Sequence, residues 1–92
     1  MVSNRNPELA ECFGKVMRRV RLEQGIAQET LALLAGMDRS YAGRVERGEK
    51  QPSLDLVIRI GDALGLSPDS FVKLVVTEYR GSARAPGKSN AK

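Results

Sequence analysis

The sequence predicts an all-α domain of five short helices, and three observations carry that prediction. Apolar residues recur at i, i+3, i+4 and i+7 in successive segments, glycine ends most of those segments, and Asn, Asp or Ser stands where several of them begin. The 92 residues allow one domain with a small core. The first helix runs from Pro7 to about Gln24, with Asn6 as N-cap, and Leu9, Phe13, Val16, Met17 and Val20 form its buried face. The second runs from Gln28 to Ala35, burying Leu31, Ala32 and either Leu34 or Ala35, and stops at Gly36. The third starts after Asp38 and closes near Arg47, with Gly48 as a left-handed cap. The fourth follows Pro52-Ser53 and carries Leu54, Val57, Ile60 and Leu64 on one side, up to Gly65. The fifth opens with Ser67-Pro68-Asp69 and runs to about Tyr79. Residues 1–6 are expected to be a flexible N-terminus, 7–79 the folded domain, and 80–92 a disordered basic tail.

Composition excludes several function classes. Hydrophobic residues make up 41% of the chain, too many for a disordered protein, and aromatics only 4%, which suits an aliphatic helical core. No apolar run approaches the ~18 residues of a membrane span. The N-terminal MVSNRN lacks a charged-then-apolar signal pattern, so a cytoplasmic, nucleoid-associated protein is expected. With one cysteine, Cys12, and no histidine, neither a metal site nor hydrolytic catalysis is expected. Cys12 reads as a small buried hydrophobe. No catalytic residue, cofactor or small-molecule effector is predicted. The net charge of +4 sits wholly in Arg80, Arg84, Lys88 and Lys92, because residues 1–79 balance eleven Lys/Arg against eleven acids. Basicity as such is therefore a poor guide. The local cluster Arg39, Arg44, Arg47 and Lys50, set against Asp38, Glu46 and Glu49, is the better one.

The informative stretch is QETLALLAGMDRSYAGRVERG, Gln28 to Gly48. Two short helices joined by a tight Gly-Met-Asp turn must cross steeply, which lets the second stand out from the body and enter a DNA major groove. Ala32 is small where the helices come close, Gly36 supplies the positive φ of the turn, and Leu31, Met37 and Val45 fill the space beneath. Arg39, Ser40, Gly43, Arg44 and Arg47 are left on the outer face.

From Phe13 to about Phe71 the chain resembles the Cro/phage-repressor-like, or Xre, family of helix-turn-helix proteins. The likeness is carried by RLEQGIAQETLA, AGMDRSY, RVERGEKQPSL and IGDALGLS in register. Within that family DRSYAGRVERGE looks most like the controller proteins of restriction–modification operons. The resemblance implies a λ-repressor-like five-helix fold with its helix-turn-helix at helices two and three. It implies base reading by Arg39, Ser40 and Arg44, phosphate contacts by Gln28, Tyr41, Arg47 and Lys50, and a structural ion pair between Arg21 and Glu46. Ala42 departs from the family's usual Ile or Val, and Gly43 from its frequent Ser. A glycine inside a helix costs ~1 kcal/mol relative to alanine, and at Gly43 it is expected to let the helix come closer to the bases.

A homodimer on a pseudo-palindromic double-stranded operator is expected. Phe71, Val72, Val75, Val76 and Tyr79 of helix five, with Leu56 and Ile58 of helix four, exceed what one buried face requires and are expected at the interface. Controller protein, phage-type repressor and antitoxin remain open at this point. The alternative from a different class is a protein-interaction module, such as an antitoxin or adaptor, that keeps the helix-turn-helix fold. Such a module would expose apolar residues on helix three, where this chain has Arg39 and Arg44.

Overall fold

Five helices make up the computed structural model, which describes residues 6–82; among the described residues there is no strand. They are α1 (Pro7–Glu23), α2 (Gln28–Ala35), α3 (Arg39–Glu46), α4 (Leu54–Ala63) and α5 (Pro68–Gly81). Side-chain oxygens of Asn6, Asp38, Ser53 and Ser67 cap α1, α3, α4 and α5 by accepting from the backbone N–H three residues on. α5 extends two residues beyond its expected end, so Arg80 and Gly81, read from sequence as tail, are helical. Arg80 in that last turn complements the negative end of the helix. Residues 1–5 of the expected N-terminus and 83–92 of the expected tail lie outside the described residues.

Asn6 is held at three points. Its Oδ1 accepts from Leu9 N–H at 3.1 Å, its Nδ2 donates to Tyr79 Oη at 3.1 Å, and its own N–H donates to Gln51 Oε1 at 2.8 Å. The start of α1 is thereby tied to the end of α5 and to the strand-free segment before α4.

α1 packs against α5 on one side and α3 on the other, α2 lies on α3 and α4, and α4 closes onto α5. The shared core includes Phe13, Met17, Leu31, Val45, Ile60 and Phe71. Phe13 and Phe71 meet edge to face, with centroids 5.3 Å apart. Each fully buried side chain of this kind contributes ~1.5–3 kcal/mol. In α2 the buried set is Leu31, Ala32 and Ala35, and Leu34 faces solvent. Cys12 is buried.

Two expectations for α4 and α5 need correcting. In α4 the buried row is Leu56, Ile60 and Leu64, at i, i+4 and i+8, so Leu56 belongs to the core of its own chain and Leu54 points outward, 74% exposed. In α5, Phe71 and Val75 form the inward i, i+4 pair and are likewise buried in their own chain. Leu56, Phe71 and Val75 are therefore taken up almost entirely by the core of their own chain. The reason is rotational phase: α4 carries two overlapping apolar rows, and the row turned toward α2 and α5 is the one that is buried. Ile58 and Val72 are exposed, and Val76 and Tyr79 are half-buried. A cleft of about 180 Å³ lies beside Val72 and Val76, walled also by Leu9, Phe13, Val57 and Val75.

Candidate nucleic-acid interface

The turn between α2 and α3 follows from two residues. Gly36 ends α2 at φ 68°, where a side chain would be strained, and Asp38 starts α3 by accepting from Tyr41 N–H at 3.2 Å. Met37 N–H donates back to Ala32 O at 2.9 Å, keeping the turn tight. Arg59 of α4 reinforces it by donating from Nη1 to Ala35 O at 2.9 Å and Gly36 O at 3.0 Å. Nothing in the sequence pattern marked Arg59 for this part.

α3 divides cleanly by helical phase. Ala42, Gly43, Val45 and Glu46 are buried, whereas Arg39, Ser40, Arg44 and Arg47 are exposed, and Tyr41 and Lys50 are half-buried. Arg39 has no ion-pair partner among the described residues, whereas Arg44 and Arg47 both face Glu49. No large apolar side chain of α3 is exposed. Gln28, Asp38, Arg39, Ser40, Gly43 and Arg47 together line a shallow polar concavity. Gly43 is buried because neighbours lie over it: a Cβ there would stand 3.1 Å from Arg47 Nη1 and 3.3 Å from Gln28 Oε1.

Behind this face, Glu46 anchors α3 to the body. It accepts from Arg21 Nε at 2.8 Å and Arg21 Nη2 at 2.9 Å, with the Glu46 side chain 2% and that of Arg21 8% exposed. Arg21 also donates to Ile26 O at 2.9 Å. The hydrogen bonds it donates to Glu46 raise the Arg21 guanidinium above its ordinary pKa, against the opposing effect of burial. Gln28 Nε2 donates to Glu46 Oε1 at 3.0 Å, which fixes that amide at the start of α2. α2 itself begins at Gln28 after Ala27 with no side-chain cap, unlike the other four helices. Arg18, not singled out from sequence, stands beside this end, exposed and 3.8 Å from Glu46. Its position four residues ahead of Leu22 on a charged helix face gave no distinguishing signal.

α1 comes unusually close to α3 at Gly14. A Cβ at Gly14 would collide with the carbonyl oxygen of Glu46 and stand 2.9 Å from that of Val45. A glycine in the middle of a helix is otherwise disfavoured, and that misfit is the one clue the sequence held.

A helix-turn-helix family model matches residues 17–71. Among curated proteins the chain is 39% identical over 61 residues to control protein C.BamHI of Bacillus amyloliquefaciens, covering 65% of this chain and 75% of that one. It is 33% identical over 60 residues to control protein C.SmaI of Serratia marcescens, covering 65% and 71%. Among solved structures it is similar to the restriction-modification controller protein C.AhdI of Aeromonas hydrophila, at 42% identity and TM-score 0.65, covering 67% of this chain and 94% of that one. It is also similar to the controller protein C.Esp1396I, solved as a tetramer with its natural 35-base-pair operator, at 28% identity and TM-score 0.71, covering 76% and 92%.

Proposed function

This chain belongs to the helix-turn-helix family, and from that premise we propose that it is a transcription regulator of the controller-protein kind, binding operator DNA as a homodimer. One observation carries the proposal: α3 buries one face and presents Arg39, Ser40 and Arg44 on the other. In the major groove, arginine pairs bidentately with guanine O6 and N7, worth ~1–3 kcal/mol of discrimination per good pair. Gln28, Tyr41, Arg47 and Lys50 take phosphates, with Gln28 oriented by Glu46 and supported by the uncapped start of α2. Arg18 joins them at the same end. The work is recognition alone; no bond is made or broken, and no cofactor takes part.

Dimerisation uses the exposed parts of α4 and α5, Ile58 and Val72 with the flanks of Val76 and Tyr79. It sets two copies of α3 roughly 34 Å apart, one turn of DNA, and demands a pseudo-palindromic site. The controller protein C.Esp1396I was solved as a tetramer on its operator, which fits a dimer as the repeating unit. No described helix is long and apolar enough to cross a membrane, and the cytoplasm, where the DNA lies, is the proposed location. A protein-binding role for α3 is disfavoured because its outer face offers charge where a protein partner needs apolar surface.

The test is selection from a random duplex pool with the wild-type protein at about 150 mM salt, where non-specific binding is suppressed. Enrichment of an inverted repeat with half-sites one turn apart is expected. A pool that stays random would refute the proposal.

A further inference from the structure

We infer that Glu49 is an intramolecular occupant of the phosphate-binding cations at the end of α3, and that docking on DNA displaces it. The inference rests on the DNA-binding reading above.

The backbone fixes where Glu49 lies. Gly48, at φ 80°, closes α3 by donating to Val45 O at 3.0 Å, and Glu49 N–H donates to Arg44 O at 2.9 Å. This paired closure turns the chain back beside the last helical turn. The Glu49 carboxylate then accepts from Arg47 Nε at 2.8 Å and Nη2 at 3.4 Å, and lies 3.8 Å from Arg44 Nε. Its carboxyl is held below the ordinary carboxylate range, first by the hydrogen bond from Arg47 and then by the charges of Arg47, Arg44 and Lys50.

Local electrostatics argue against an acid at this position. The carboxyl end of a helix carries partial negative charge and favours cations. A neighbouring phosphate path would repel Glu49 as well. Yet its two oxygens meet the guanidinium edge as a phosphate would, so carboxylate and phosphate compete for the same N–H donors. Arg44, Arg47 and Glu49 are each about half exposed, at 50%, 60% and 49%. Exchange therefore needs only side-chain rotation at the surface, where an ion pair is weak. The occupant tempers affinity without blocking docking. Its effect is read most directly on non-specific DNA, whose binding is driven by phosphate contacts.

The experiment is fluorescence anisotropy with the full chain and a labelled duplex of scrambled sequence, between about 50 and 200 mM salt. Glu49→Gln is expected to tighten binding about threefold at the low-salt end and to steepen the log–log salt slope by about 0.9, one further phosphate neutralised. In an Arg47→Ala background the same substitution is expected to gain little. Unchanged affinity and slope in Glu49→Gln would overturn the inference, as would a gain undiminished without Arg47, which would reflect net charge alone. Failure of the wild-type chain to bind duplex at the lowest salt would instead overturn the DNA-binding reading, and this inference with it.

Discussion

Glu46→Ala should come close to unfolding the protein although Glu46 is the last residue of α3. The carboxylate is 2% exposed and accepts two bonds from Arg21, itself 8% exposed, and one from Gln28. Removing it leaves the Arg21 charge buried with only Ile26 O among its acceptors here. Breaking a buried pair in this way costs ~3–5 kcal/mol, because the surviving charge keeps its desolvation penalty and loses its compensation. A domain of this size has ~5–10 kcal/mol in total. Thermal unfolding followed by far-UV circular dichroism should show a midpoint lower by ~15–30 °C. Replacing both partners, Arg21→Met with Glu46→Leu, should recover most of that loss, since no unpaired charge remains. It should still weaken DNA binding, because Gln28 loses its anchor. A Glu46→Ala midpoint within a few degrees of wild type would instead place the pair in effective contact with water.

The remaining predictions address recognition, assembly and packing. Arg44→Ala should keep the wild-type melting curve and lose preference for the selected operator over scrambled duplex by about tenfold or more in competition binding. Val72→Asp should yield folded monomers by light scattering, whereas Val75→Asp, at a buried position, should fail to fold because its carboxylate has no partner. Gly14→Ala should lower stability by ~1–3 kcal/mol in urea unfolding, despite alanine's better helix propensity, because the obstructing atoms belong to the α3 backbone. In a carbon-detected NMR titration of the free protein, the Glu49 carboxyl should titrate below the ordinary carboxylate range and move back toward it in Arg47→Ala. A midpoint unmoved by that substitution would assign the shift to Arg44 and Lys50 instead.

The five helices and most of their ends were legible because the signals are local. Asn6, Asp38, Ser53 and Ser67 act on N–H groups three residues away, and Gly36 and Gly48 act through their own φ. The outward set on α3 was legible for the same reason, since a period of 3.6 with one apolar row at Ala42 and Val45 leaves Arg39, Ser40 and Arg44 outside. The pairing of Arg21 with Glu46 came from resemblance, as residues 25 apart share no local pattern. Where a helix carries apolar residues on more than one row, periodicity cannot choose between them. That is why Leu54 and Leu56 exchanged places, and why Phe71 and Val75 proved to be core.

The helices, their caps and the polar face of α3 follow from interactions that span a turn or less. Other features emerge only from the packed helices: which row of α4 and α5 is buried, that Gly14 must be bare to admit α3, that Arg59 holds the turn, and that Glu49 pairs with Arg47. Those outcomes depend on which surfaces meet, and close packing and buried charge settle that only when every helix is in place.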